Sequence, residues 1–148
     1  MIILTSLMLL SCGFELQNTA NLTGKLETLY IQTDDPYTVF YRTLKRQMEN
    51  HGVEIVAESD DAYFDFIIHQ DESSQRILSV SGRNMPKEYE VYYLVKWSLT
   101  KGNKVIIQPM TSSKYQDYTF DQRQLLGKSN ESRIIQEALA KDIVQMIL

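Results

Sequence analysis

The sequence predicts an α+β domain in which two helices pack on one face of a roughly four-stranded mixed sheet. Three observations carry this. From Glu88 to Thr100, Tyr89, Val91, Tyr93, Val95, Trp97 and Leu99 alternate with Glu90, Tyr92, Leu94, Lys96 and Ser98. A period of two over that length fits a strand and not a helix. Two other stretches repeat with helical spacing: Tyr37, Phe40, Tyr41, Leu44 and Met48, and later Ile135, Leu139, Ile143 and Met146, joined by Ile134, Ala138 and Ile147. The resulting order is strand, helix, strands, hairpin, helix. Two layers are the economical way to bury both apolar helix faces and one sheet face.

Taken in order, Leu26, Leu29 and Ile31 begin a short strand with polar residues between them. Asp34-Asp35-Pro36 signals a helix start: Asp35 can accept from early backbone amides, and Pro36 suits a first helical position. His51-Gly52 ends that helix, since glycine tolerates the left-handed conformation after a C-cap. Arg42, Lys45 and Arg46 lie on its polar face. Val53, Ile55 and Val56 form a run too short to assign, and Glu58 to Asp61 is an acidic turn. Tyr63 to Ile68 reads as a strand with Phe64, Phe66 and Ile68 on one side, and Ile77, Leu78 and Val80 allow it to continue. Gly82, Asn84 and Pro86 make Ser81 to Lys87 a turn region. Lys101-Gly102-Asn103 is a hairpin turn. Val105, Ile106 and Ile107 open the returning strand, where Pro109 demands an edge position or a bulge. That strand resumes through Tyr115 and Tyr118, and Ser129-Asn130 offers a cap for the last helix.

Composition narrows the function classes. A chain of 148 residues with a net charge of −4 fits one domain and not a general nucleic-acid binder. One cysteine permits no internal disulfide. No apolar run reaches the length of a spanning helix. The glycines cradle no phosphate, and His51 and His69 stand alone, each better suited to a cap or a strand surface than to a metal. No Ser or Cys has a plausible base and no carboxylates are spaced as an acid–base pair, so no enzyme and no cofactor are expected.

Leu9-Leu10-Ser11-Cys12-Gly13, preceded by the apolar run from Met1, resembles a bacterial lipobox. The apolar run partitions into a membrane, and small Ser11 suits a peptidase pocket. The Cys12 thiol then takes lipid, and two or three acyl chains give stable anchoring. The competing reading is a buried N-terminal segment with an incidental cysteine. The expected organisation is a signal peptide over 1–11, a lipidated tether over 12–24 and one domain over 25–148. Gly13 in place of an inner-membrane-retaining Asp fits a lipid anchor at the periplasmic face of the outer membrane.

Several motifs, ordered along most of the chain, extend this. Cys12-Gly13-Phe14-x-Leu16 opens it. Leu44-x-x-Gln47-Met48 with Gly52-Val53-Glu54 ends the first helix, Glu88-Tyr89 opens the long strand, and Leu126-Gly127-Lys128-x-x-Glu131 leads into the last helix. In their order and spacing these resemble the LptE family, outer-membrane lipoproteins of lipopolysaccharide (LPS) transport in Gram-negative bacteria. The resemblance implies a non-enzymatic protein that plugs and helps assemble the LptD β-barrel and binds LPS during its delivery to the cell surface. A lipoprotein binding or assembly subunit of another envelope complex is the alternative, since fold does not separate the two.

An LPS binder needs cations on a presented edge. Arg83, before the long strand, and Lys128, before the last helix, lie in turns where the family places basic residues. Lys87 and Lys114 are further candidates, and ordinary solvated charge is the competing role of all four. A surface meeting a polar barrel lumen would be polar with some aromatics. Tyr115, Tyr118 and Phe120, beside Asp117 and Asp121, fit that description, with core packing as their other role.

Overall fold

The computed structural model describes residues 27–119 and 128–148, with backbone alone for 128–130. The leader, the tether with Cys12, and Phe120 lie outside the described residues. Strand β1 (Thr28–Gln32) is followed by helix α1 (Val39–Asn50) and the short strand β2 (Glu54–Val56). A single 3-10 turn leads to three long strands, β3 (Phe64–Val80), β4 (Pro86–Lys101) and β5 (Lys104–Thr119), and helix α2 (Lys128–Ile147) follows. The sheet is five-stranded, in the order β2-β1-β3-β4-β5. β1 pairs in parallel with both β2 and β3, while β3, β4 and β5 form an antiparallel meander. This is the expected two-layer α+β arrangement, with β2 as a strand more than the four anticipated. Its three residues are held by backbone pairing to β1, which leaves no periodicity to read.

Helix α1 begins later than Asp35-Pro36 suggested. Thr38 is its N-cap, its hydroxyl accepting from the Tyr41 amide at 3.1 Å. Asp35 instead closes a turn ahead of the helix, accepting from the Tyr37 amide at 2.8 Å. Tyr37 therefore stands in solvent, and Phe40, Thr43, Leu44 and Met48 form the buried face. At the other end Gly52, with φ of 82°, takes the left-handed position. The Val53 amide then reaches the Met48 carbonyl and the Gly52 amide the Glu49 carbonyl, both at 3.0 Å. These are the two bonds of a Schellman motif, and buried Val53 and Met48 supply the apolar contact that accompanies it.

The core lies between one face of the sheet and both helices. Tyr89, Val91, Tyr93, Val95, Trp97 and Leu99 of β4 are all buried, as the alternation required. β3 contributes Phe66 and Ile68, and then changes parity. His69 is an extra residue opposite the step from Trp97 to Lys96, so Asp71, Ser73 and Gln75 follow on the helix-facing side opposite Val95, Tyr93 and Val91. β5 is an edge strand, and Gln108 and Pro109 bulge where Met110 pairs with Trp97 and Ile107 with Leu99. Both conditions a proline imposes on a strand are thus met. Gly102, with φ of 53°, gives the positive φ that a tight hairpin turn between Lys101 and Lys104 asks of its first position.

In α2 the buried residues are Ile135, Leu139, Ala140, Ile143, Val144 and Ile147. Ile134, Ala138 and Met146, assigned to this face from spacing, are exposed. The helix is rolled about its axis because it packs against α1 as well as β4 and β5, which widens the buried stripe toward Ala140 and Val144. The helix is already regular at Lys128, so Ser129 and Asn130 sit in its first turn and not at its cap. Leu139→Ala is expected to cost about 2–5 kcal/mol of unfolding free energy, because the side chain is buried in the core. Urea unfolding followed by circular dichroism measures it. A loss below about 0.5 kcal/mol, the scale of a surface change, would mean that α2 does not pack on the sheet.

Candidate functional site

The β3–β4 turn presents the first sequence-selected cation. The Ser81 amide donates to the Met85 carbonyl at 2.7 Å and the Asn84 amide to the Ser81 carbonyl at 2.9 Å. Asn84 takes the left-handed conformation, with φ of 56°, which asparagine tolerates better than most residues. This tight closure leaves Arg83 projecting at the tip, exposed, and Lys87 close by at the start of β4. Around them Ile77, Leu78, Val80 and Met85 are all exposed. Four large apolar side chains left in water beside two cations make the tip amphipathic. Isolated exposed apolar residues are ordinary, but a cluster marks a contact surface.

Lys128 opens α2, and its side chain lies outside the described residues. β5 ends at Thr119 opposite Glu88, at the end of the sheet that carries the Arg83 turn. Lys114 is not part of that end. It pairs with Tyr93 on the helix-facing side and is half-buried, on the order of 17 Å along the strand from Thr119.

The opposite face of the long strands is open. No described element covers it, and it carries a polar lattice. Arg76 pairs with Glu90 at 2.7 Å. The Tyr92 hydroxyl donates to Glu72 at 2.9 Å, and that bond, more than any other influence, raises the tyrosine pKa. Tyr92 and Tyr115 lie ring to ring at 6.5 Å, beside Asp117 opposite Glu90. Tyr115 is 56% exposed, whereas Tyr118 is 8% exposed. Tyr118 pairs with Tyr89 and stacks on it at 5.5 Å, with its hydroxyl donating to Gln75 at 3.2 Å. Tyr118 is thus a core residue and Tyr115 a surface one. Sequence reasoning passed over Tyr92, Glu72 and Arg76 as surface members of this face. The signal for Tyr92 was its even-numbered place in the alternation of β4.

A buried polar contact ties α1 to the sheet. The Tyr93 hydroxyl accepts from the Phe40 amide at 3.2 Å, at the start of α1. Asp71 lies next to it. Burial raises the Asp71 pKa above its ordinary 3.8, the charge of Asp35 adds to this, and the hydroxyls of Thr38 and Tyr93 offset it in part. Burial, then the nearby Asp71 charge, pushes Tyr93 upward as well. A carboxyl whose folded pKa is raised binds more protons in the folded than in the unfolded state, so stability falls as pH climbs through the window above 3.8. Asp71→Asn removes that penalty. The variant is expected to exceed the wild type in stability at neutral pH by a margin that shrinks as pH approaches 3.8. Urea midpoints at the two pH values measure it, and a margin that grows toward acid would refute it.

The matches to known proteins bear on both layers. A family model described as "LptE: Lipopolysaccharide-assembly" matches residues 26–148. Over 70 residues the chain is 37% identical to the LPS-assembly lipoprotein LptE of Pectobacterium atrosepticum, a stretch making up 47% of this chain and 34% of that relative. The crystal structure of rare lipoprotein B from Shewanella oneidensis superposes with a TM-score of 0.70 at 23% identity, covering 81% of this chain and 89% of that one. The solution structure of an uncharacterized lipoprotein B from Nitrosomonas europaea gives 0.72 at 23% identity, covering 82% and 79%. A minor lipoprotein from Acinetobacter baumannii gives 0.67 at 16% identity, covering 82% and 87%. At these identities the structural likeness is one of fold. The family match spans all of the described residues, and this chain therefore belongs to the LptE lipopolysaccharide-assembly family.

Proposed function

We propose that this protein is a non-enzymatic, lipid-anchored subunit at the periplasmic face of the outer membrane, where it plugs and helps assemble the LptD β-barrel and contacts LPS on its way to the cell surface. The observation that carries the LPS contact is the amphipathic β3–β4 tip. LPS joins phosphate-bearing sugars to acyl chains, and the tip joins Arg83 and Lys87 to exposed Ile77, Leu78, Val80 and Met85. Arg83 and Lys128 are the leading phosphate ligands, Lys87 an added charge at the tip, and Lys114 a weaker candidate from mid-strand. The open polar face supports the plug reading. Residues lining a barrel lumen are polar, and Glu72, Arg76, Glu90, Tyr92 and Tyr115 offer hydrogen-bonding groups in kind. Phe120, next along the chain, remains a candidate for the same contact.

Anchoring follows from Cys12. Full-length protein expressed in its host and extracted from outer membranes is expected to co-purify with an integral β-barrel and with LPS. Recovery of some other envelope assembly in place of the barrel would replace this reading with a different lipoprotein complex. Cys12→Ser is expected to leave the precursor uncleaved and without acyl chains. Mass spectrometry of the wild-type N-terminus decides the anchoring, because an intact, unmodified Cys12 there would defeat it.

A further inference from the structure

We propose that the groove between α1 and α2 is a second anion site, which takes a phosphorylated head group of the LPS molecule. This deepens, and rests on, the LPS-binding reading above. The groove is about 540 Å3 in volume, within the range of small-ligand sites. It lies on the helical layer, along the exposed outer surfaces of α1 and α2. Arg42 and Arg46 line it from successive turns of α1, and Lys141 lines it from α2. All three are exposed.

Their charges are not spoken for. Glu137 also lines the groove, but its carboxylate is taken by Arg133 at 2.6 Å. Lys45 on the same helix pairs with Glu49 at 4.0 Å. Among the described residues, Arg42, Arg46 and Lys141 have no carboxylate within ion-pair distance. Three uncompensated cations around one groove stand out in a chain that carries 19 acidic residues against 15 basic ones. Such a cluster repels itself, and the one carboxylate of its lining is already paired with Arg133.

The lining also says which anion. Two arginines offer forked donors that match phosphate oxygens two at a time, and a lysine adds a point charge. Beside them lie Ala138 and Ile134, the latter 59% exposed. A cationic rim with apolar surface next to it fits an amphiphile whose phosphate adjoins acyl chains better than it fits a soluble phosphate, which has no use for the apolar part.

The test compares LPS capture in neutral detergent at low salt by full-length wild type and by Arg42→Gln/Arg46→Gln/Lys141→Gln, with circular dichroism as the folding control. Losing three charge-assisted contacts is expected to weaken capture about five- to tenfold. Arg42→Lys/Arg46→Lys keeps charge without the fork and should fall between. Lys45→Gln, outside the groove, should match wild type. With LPS stripped of its phosphates, wild type and the triple variant should become equal. Undiminished capture by the folded triple variant overturns the groove site, and if Arg83→Glu does lose capture in the same assay, the tip reading stands without it. Wild type that captures no LPS overturns both. Undiminished LPS capture together with lost barrel co-purification would assign the groove to an acidic surface of the partner protein, and would likewise overturn the lipid site.

Discussion

Replacing Trp97 by alanine is expected to remove about 3–5 kcal/mol of unfolding free energy, enough to leave a domain of ordinary stability, about 5–15 kcal/mol, marginal or unfolded. Trp97 sits mid-strand in β4, buried between the sheet and the helices. Its ring stacks on Phe66 of β3 at 5.1 Å with planes 7° apart. Its indole N–H donates to the Ser112 hydroxyl of β5 at 3.1 Å, and Ser112 is itself buried. One side chain thus clamps three strands, and alanine removes the stack, opens a cavity and strips Ser112 of its donor together. Trp97→Phe separates these effects. It keeps most of the stack and leaves Ser112 without the donor, so it should cost less, about 1–3 kcal/mol. Trp97 is the sole tryptophan, so unfolding must be followed by far-UV circular dichroism in urea and not by tryptophan emission. A loss below about 1 kcal/mol for the alanine variant, the middle of the range for arbitrary substitutions, would mean that this ring is not the clamp described.

Trp97 was legible in the sequence because β4 runs from Pro86 to Lys101 without a break in its own alternation. Parity read from one end of that strand holds at the other. β3 and β5 do not offer this. The extra residue at His69 moves Asp71, Ser73 and Gln75 to the side that Phe66 and Ile68 face. Polar letters after apolar ones then look like the end of a strand, when the backbone continues to Val80. β5 is irregular twice, at Ile106 and at Gln108 and Pro109. Val105, Ile106 and Ile107 are all apolar, so the start of β5 marks no face from which to count that Tyr118 faces the core and Tyr115 the solvent.

The candidate site divides along similar lines. Arg83 was legible because Gly82, Asn84 and Pro86 punctuate the turn around it. Its apolar neighbours were not. Ile77, Leu78 and Val80 read only as the continuation of a strand, and their exposure follows from tertiary structure: the hairpin formed by β3 and β4 carries its tip clear of the helices. The α1–α2 groove was half legible. Arg42 and Arg46 plainly occupied the polar face of a helix, but such a face is ordinarily solvated. Only the packing of α2 brings Lys141 across from them.

Reversing both leading cations, Arg83→Glu with Lys128→Glu, is expected to weaken LPS capture by on the order of tenfold at low salt, through loss of charge-assisted phosphate contacts and gain of repulsion. Arg83 is held at an exposed tip by backbone bonds of Ser81, Asn84 and Met85, none of which uses its side chain. Arg83→Glu should therefore leave the hairpin closed, and glutamate at residue 128 is well placed electrostatically, since a negative charge in the first turn of a helix favours it. Circular dichroism and barrel co-purification should stay at wild-type levels. That separation is what makes the variant informative, because the plug reading rests on the opposite, open face of the sheet and the LPS reading on this tip. The deficit should narrow as salt rises, since the Debye length falls to about 3 Å at 1 M ionic strength. The apolar share of the contact should respond differently. Met85→Ser with Val80→Ser is expected to reduce capture at every ionic strength, as burial of acyl chains is not screened. Equal LPS capture by a folded charge-reversed protein and the wild type would return Arg83 and Lys128 to ordinary surface charge, and would place the capture elsewhere on the molecule.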